Sequence, residues 1–168
     1  MTPFASARDH DLHLQRKPVR VQLRGNRGLR GEIHIAEGQS LTGFLGMKKH
    51  FLNLTSVRWE DDPTGSDPLP HLSLRIANVI WLVPGDGSLY LTSAETPTPG
   101  EGRKAELHLV GGLTLNVTLN IADELRMSDY FDSGPPFIPL RDVQIPSSTR
   151  TIDRVAVNHT AVLAIREL

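Results

Sequence analysis

The stretch "EGQSLTGFLGMKKHFLNLTSV", Glu37 to Val57, has a counterpart in "DELRMSDYFDSGPPFIPLRDV", Asp123 to Val143. Leu41, Phe44 and Leu45 lie over Met127, Tyr130 and Phe131, and Phe51, Leu54 and Val57 over Phe137, Leu140 and Val143. Working outward, residues 19–57 match 105–143 at an offset of 86 without a gap. There Leu23, Gly25, Leu29, Ile35 and Ala36 meet Leu109, Gly111, Leu115, Ile121 and Ala122. Further along, "LRIANVIWL" (Leu74 to Leu82) matches "VNHTAVLAI" (Val157 to Ile165) at an offset of 83. The change of offset falls between "EDDPTGSDPLPH" and the region around "PSSTRTID". A loop absorbs such a change, because buried backbone has to keep its hydrogen bonds. The chain therefore reads as one unit written twice, over 16–84 and 103–168. A segment 1–15 without a core pattern precedes the first unit, and a linker 85–102 rich in Pro, Gly, Ser and Thr separates the two. Within that linker "SLYLT" suggests a short extra strand.

Each unit alternates at period two. Val19, Val21 and Leu23 face one way and Arg20, Gln22 and Arg24 the other, which is the pattern of a half-buried strand. Gly25, Asn26 and Gly28 suit the positive φ angles of a tight turn, and Gly111 and Gly112 take that place in the second unit. Two further strands are expected near Phe51–Arg58 and Leu72–Leu82. Between strands two and three, Thr42 and Ser128 are N-cap types for a short helical turn, with Gly46 closing the first. Four or five short strands and a helical turn describe a small barrel or strongly bent antiparallel sheet. A unit of this size buries only ~60% of its surface alone. The two are therefore expected to pack as a pseudo-two-fold pair, with Trp81 at their interface.

Composition places the chain among globular proteins, with 39% apolar and 22% charged residues. It has no cysteine, which excludes disulfides and thiolate chemistry. The N-terminal residues lack a signal-peptide pattern and no apolar run is long enough for a membrane helix, so a cytoplasmic location with no membrane partner is expected. The net charge of −1 divides unevenly. Residues 1–84 carry 11 Lys/Arg against 8 Asp/Glu, a formal +3, and residues 85–168 carry 7 against 11, a formal −4. Surface charge of this kind is usually solvation; the other reading of unlike halves is head-to-tail association.

The Leu41-Thr42-Gly43-Phe44-Leu45 turn followed by Phe51 and Leu54, repeated as Met127 to Phe131 followed by Phe137 and Leu140, resembles a bacterial family of small Sm-like β-barrel domains of uncharacterised function. The resemblance covers most of both units. It implies an all-β fold of two tandem Sm-like or SH3-like barrels and self-association through sheet edges. RNA-holding Sm proteins carry an Asp-x-x-Met-Asn-like segment and a closing Arg-Gly pair. This chain has Ala36-Glu37-Gly38 and Ala122-Asp123-Glu124 in the first place and no Arg-Gly in its closing strands.

One polar cluster stands out. Arg16, Lys17, Arg20, Arg24, Arg27 and Arg30 follow one another with no acid between them. Arg20, Arg24, Arg30 and His34 are the candidate residues for an anionic ligand or partner, on the outward face of the first hairpin. The second unit has Glu106, Val110, Asn116 and Asn120 at the matching places, so the fold does not demand the charge. "RKPVR" also resembles the opening of cyclic-dinucleotide-binding PilZ domains, but Gly38 occupies their Asp/Asn slot. His10 and His13 with Asp9 and Asp11 form a conceivable metal-binding cluster, but it lies in the segment without a core pattern, and the other histidines show no H-E-x-x-H spacing; no nucleophile elbow, phosphate loop or catalytic thiol is present. The expectation is a non-catalytic binding or assembly module, a scaffold or adaptor, with no cofactor and no metal. Its partner would be protein, either a second copy or another chain. The alternatives are a nucleic-acid-binding Sm-like protein using the basic hairpin and, behind it, a PilZ-like sensor.

Overall fold

Alternation of apolar and polar side chains sets the strands. The computed structural model describes residues 14–62, 64–92 and 102–168. The first half runs β1 (Leu14–Leu23), β2 (Arg27–Ala36), helix α1 (Leu41–Gly46), β3 (Phe51–Trp59), β4 (Leu69–Arg75), a 3-10 turn (Ile76–Asn78) and β5 (Val79–Pro84). The second half runs β6 (Arg103–Leu109), a 3-10 turn (Val110–Gly112), β7 (Thr114–Leu119), α2 (Met127–Ser133), β8 (Phe137–Ile145), β9 (Arg150–Asn158), a 3-10 turn (His159–Ala161) and β10 (Val162–Glu167). The fold is all-β. Among the described residues ten strands form one antiparallel sheet in the order β10-β6-β7-β8-β9-β5-β1-β2-β3-β4.

The pairing registers of the two halves coincide at the offsets seen in the sequence. Val21 faces Leu29 and Leu82, and Leu107 faces Leu115 and Ile165. Leu52 faces Leu74, and Ile138 faces Val157. Ser56 and Asp142 take the same place and the same unusual backbone, with φ of 52° and 51°. At the first of these β3 carries an extra residue opposite Gly31, a bulge that bends the strand and sharpens its twist. A Cβ on Gly31 would stand 3.2 Å from Val57 Cγ2 and 3.3 Å from Thr55 O, so the bend passes close to a bare backbone.

Two cores result. The first gathers Val21, Leu29, Ile33, Leu41, Leu52 and Leu54, and the second Leu107, Leu115, Val117, Phe131, Ile138 and Leu140. Where the halves meet, β5 pairs with β9, Trp81 opposite Val157 and Leu82 opposite Ala156. Side chains cross this joint in both directions. Ile80 and Trp81 of the first half lie in the second core, and Phe137 and Ala156 of the second half lie in the first core. The buried Asn158 amide donates to Ile76 O at 3.1 Å and Val79 O at 3.0 Å, which fastens β9 to the turn before β5. Trp81 is buried at the interface between halves, as expected.

Four local expectations are corrected. Residues 72–82 are not one strand, because the 3-10 turn at Ile76–Asn78 breaks the pairing and turns β5 back onto β1. The joint uses unlike strands, β5 from one half and β9 from the other. It is therefore a head-to-tail contact instead of a pseudo-two-fold one, in which like elements would meet. "SLYLT" forms no strand. Leu89 and Leu91 instead bury themselves in the first core, while Tyr90 O and Leu91 O accept the Leu41 and Thr42 N–H groups at 2.8 and 3.1 Å. The start of a helix leaves such donors open, and here the chain after β5 fills them. Finally, α1 is capped by Ser40, whose Oγ accepts from Gly43 N at 3.2 Å, and α2 follows Arg126 with no side-chain cap. Thr42 Oγ1 is occupied with Leu91 O. Ser40→Ala is expected to lower stability by about 1 kcal/mol in urea unfolding, the usual worth of an N-cap.

Candidate functional site

The first hairpin places Arg20 on β1 directly opposite Arg30 on β2. Like charges in that position repel. The repulsion is relieved by Glu60, which follows the end of β3. Arg20 Nε and Nη2 donate to Glu60 Oε1 at 3.1 and 2.9 Å, and Arg30 Nε lies 3.8 Å from the same oxygen. Glu60 is held beside the turn because its N–H donates to Gly28 O at 3.0 Å. A Cβ at Gly28 would collide with the Glu60 carboxylate. Gly25 and Asn26 supply the positive φ angles of the turn, with values of 82° and 59°; Gly28 does not, and its role is to make room.

The other candidates are drawn apart from this pair. Arg24 Nε donates to Ala77 O at 2.7 Å and its backbone N–H to Asn78 O at 2.9 Å, tying the hairpin to the turn before β5. His34 Nε2 lies 2.9 Å from Thr55 Oγ1 across the β2–β3 boundary. Arg27, also in the run, lies 3.9 Å above the Trp59 ring, with Nε 3.3 Å from Asp61 Oδ2. Lys17 Nζ donates to Ser88 Oγ at 3.0 Å. Of the four predicted residues the structure thus brings Arg20 and Arg30 together, and sends Arg24 and His34 to separate tasks. Glu60 and Asp61 were overlooked in the sequence because they sit in a loop far along the chain. Their signal is the register: Leu29 faces Trp59, the last residue of β3, so the residues that follow it return beside the turn.

Arg20 also borders a cleft of about 520 Å³ at the joint, over Trp81 and Val83 of β5 and Ile152 of β9. Its charged rim is mixed: Arg20, Arg150 and Arg154 against Glu60, Asp86 and Asp153. Arg154 donates to Leu89 O at 2.7 Å and Asp86 O at 2.8 Å, clamping the segment after β5 to the second half. The Ser88 hydroxyl and backbone N–H hold the Asp86 carboxyl below its ordinary value. The three arginines and three carboxylates of this rim balance in sign.

Glu60→Gln is expected to lower stability by less than about 1 kcal/mol, since the pairs are exposed to solvent and salt. Thermal melting at low and high ionic strength checks this. Among the described residues no group of three or more His, Asp or Glu is placed to hold a metal ion. The His10 and His13 cluster lies outside the described residues. No described helix is long and apolar enough to cross a membrane. No protein-family model, curated protein or solved structure matches the chain.

Proposed function

We propose that the chain is a non-catalytic binding and assembly module, built from one small Sm-like barrel unit written twice. The reading of each half as a barrel is supported by the return of its last strand to its first, β5 to β1 and β10 to β6, in matching registers. The observation that carries the functional reading is the way the halves join. A strand from one unit adds to the sheet of the other and exchanges core residues with it, while the sheet ends on two outer strands, β4 and β10. A unit that recognises a sheet edge inside the chain is equipped to recognise one outside it.

Native mass spectrometry of the untagged protein, purified gently from its own kind of cell, tests this. The expected masses are whole-number multiples, above one, of the 18.6 kDa chain. Masses of one bare chain throughout would count against assembly. Extra nuclease-sensitive mass would move the reading to nucleic-acid binding through the basic hairpin. The triple variant Arg20→Gln, Arg24→Gln, Arg30→Gln would then weaken that binding and flatten its salt dependence. The ties of these arginines to Glu60 and Ala77 favour the assembly reading.

A further inference from the structure

A second cavity where the halves meet, of about 280 Å³, carries charge of one sign. Lys48, Lys49, His50 and Arg75 of the first half and His159 of the second line it, and among the described residues its lining holds no Asp or Glu. Backbone bonds fix its walls. Ile76 N–H donates to His50 O at 2.8 Å, which holds the segment after α1 against the turn after β4. From the second half, His159 N and Nδ1 both lie against Pro136 O, at 3.0 and 2.9 Å. A carbonyl only accepts, so Nδ1 carries a hydrogen there and Nε2 is the ring nitrogen left over.

None of these five side chains forms an ion pair among the described residues. Lys48 and Arg75 stand over aromatic rings instead, Lys48 Nζ 4.7 Å from the centre of Phe44 and the Arg75 guanidinium 4.8 Å from that of Phe51. A ring steadies a cation without cancelling its charge. At the first hairpin, by contrast, Arg20 is answered by Glu60 and Arg27 by Asp61. The fold does not demand the charge either. At the offset of 86, Lys48, Lys49 and His50 have Gly134, Pro135 and Pro136 as their twins, and at 83 Arg75 has Asn158.

Like charges gathered around a concave site focus a positive potential, which an anion relieves. Lys48, Lys49 and Arg75 supply three formal charges. A carboxylate answers one of them, whereas a phosphate group, with a charge of about −1.5 to −2 and three acceptor oxygens, answers more. The guanidinium fork and the ammonium point charge both suit it. Ile76, Ala77 and Pro136 add apolar surface beside the charges, and the volume is at the small end of ligand sites.

We propose that this cavity binds a small phosphate-bearing anion, with Lys48, Lys49 and Arg75 donating to the phosphate and Ile76, Ala77 and Pro136 lying against the rest of the ligand. Both halves line the cavity, so a bound ligand braces the joint between them. The site needs no second copy of the chain, which keeps its test separate from that of assembly.

Phenyl phosphate and inorganic phosphate are the probes, with benzoate as a ring of single negative charge. Each is titrated into the full chain at low ionic strength and followed by amide NMR shifts. Saturable shifts are expected at 48–50, 75–77 and 159–160 with both phosphates, and weaker binding of benzoate. Tighter binding of phenyl phosphate than of inorganic phosphate would assign a phosphate ester as the ligand, and equal binding would assign free phosphate. Lys48→Gln, Lys49→Gln and Arg75→Gln together are expected to raise the Kd by about tenfold. Arg16→Gln, Lys104→Gln and Arg166→Gln remove the same charge from exposed positions outside the cavity, and should change the Kd by less than about twofold. Equal losses in the two triple variants would reduce the effect to net charge and overturn the site. Benzoate binding as tightly as phenyl phosphate would overturn it too. So would wild-type shifts that do not saturate or that fall elsewhere, a reading that needs no variant to fold.

Discussion

Phe137→Ala is expected to destabilise the protein by about 3–5 kcal/mol, the range for emptying a buried aromatic site. The size follows from where the ring sits. Phe137 belongs by sequence to β8 of the second half and by packing to the first core, so its removal leaves a cavity in one half and unfastens the other. The loss is expected to appear in both halves together, since Ile80 makes the reciprocal crossing. Urea unfolding followed by Trp59 and Trp81 fluorescence and by circular dichroism would show coincident transitions, displaced to lower denaturant. Its twin supplies the comparison. Phe51 is exposed on the surface of one chain, so Phe51→Ala is expected to cost less than about 1 kcal/mol in dilute protein. A Phe137→Ala variant as stable as Phe51→Ala would mean that the crossing contributes nothing.

Asn158→Leu is expected to cost about 2–4 kcal/mol. The side chain is buried and fully used: Nδ2 donates to Ile76 O and Val79 O, and Oδ1 accepts from Thr160 N at 3.1 Å and Thr160 Oγ1 at 2.9 Å. Leucine has a similar volume, so the loss comes from carbonyls stranded without donors and from a 3-10 turn without its cap, more than from packing. The twin change Arg75→Leu removes no such buried partner and should be near neutral in a single chain. Chemical denaturation of the two variants separates the cases. Equal costs would show that Asn158 acts as a space-filler.

The contrast between twins also shows what could be read beforehand. The two offsets, 86 and 83, were legible because the apolar positions of both halves obey the same pleat, and they hold in the pairing registers strand by strand. The break within "LRIANVIWL" was not legible: Leu74, Ile76, Ile80 and Leu82 keep a period-two apolar rhythm through a turn that is set by backbone bonds, such as Ile76 N to His50 O at 2.8 Å. Nor was the use of "SLYLT", whose Leu89 and Leu91 alternate as a strand would, while Tyr90 O and Leu91 O pair with a helix start. At the hairpin the positive run was plain, whereas the acid that answers it lies just past the end of β3, and only the β2–β3 register connects Glu60 with Arg20. Nothing in the sequence marks Asn158, because the two carbonyls its amide serves, Ile76 O and Val79 O, belong to the other half. Local pattern reports which face of a strand is inward; it is silent about which strands from distant segments share an edge.

Amide hydrogen exchange of β4 and β10 as a function of protein concentration tests the pairing of copies most directly. Among the described residues no strand pairs with their outer edges, and pairing of copies would give their outward N–H groups acceptors. Edge pairing predicts that exchange in 69–75 and 162–167 slows together as concentration rises, while β1 and β6, interior in the sheet, stay unchanged. Exchange that is fast on both edges at every concentration, or slowed on only one of them, would contradict it.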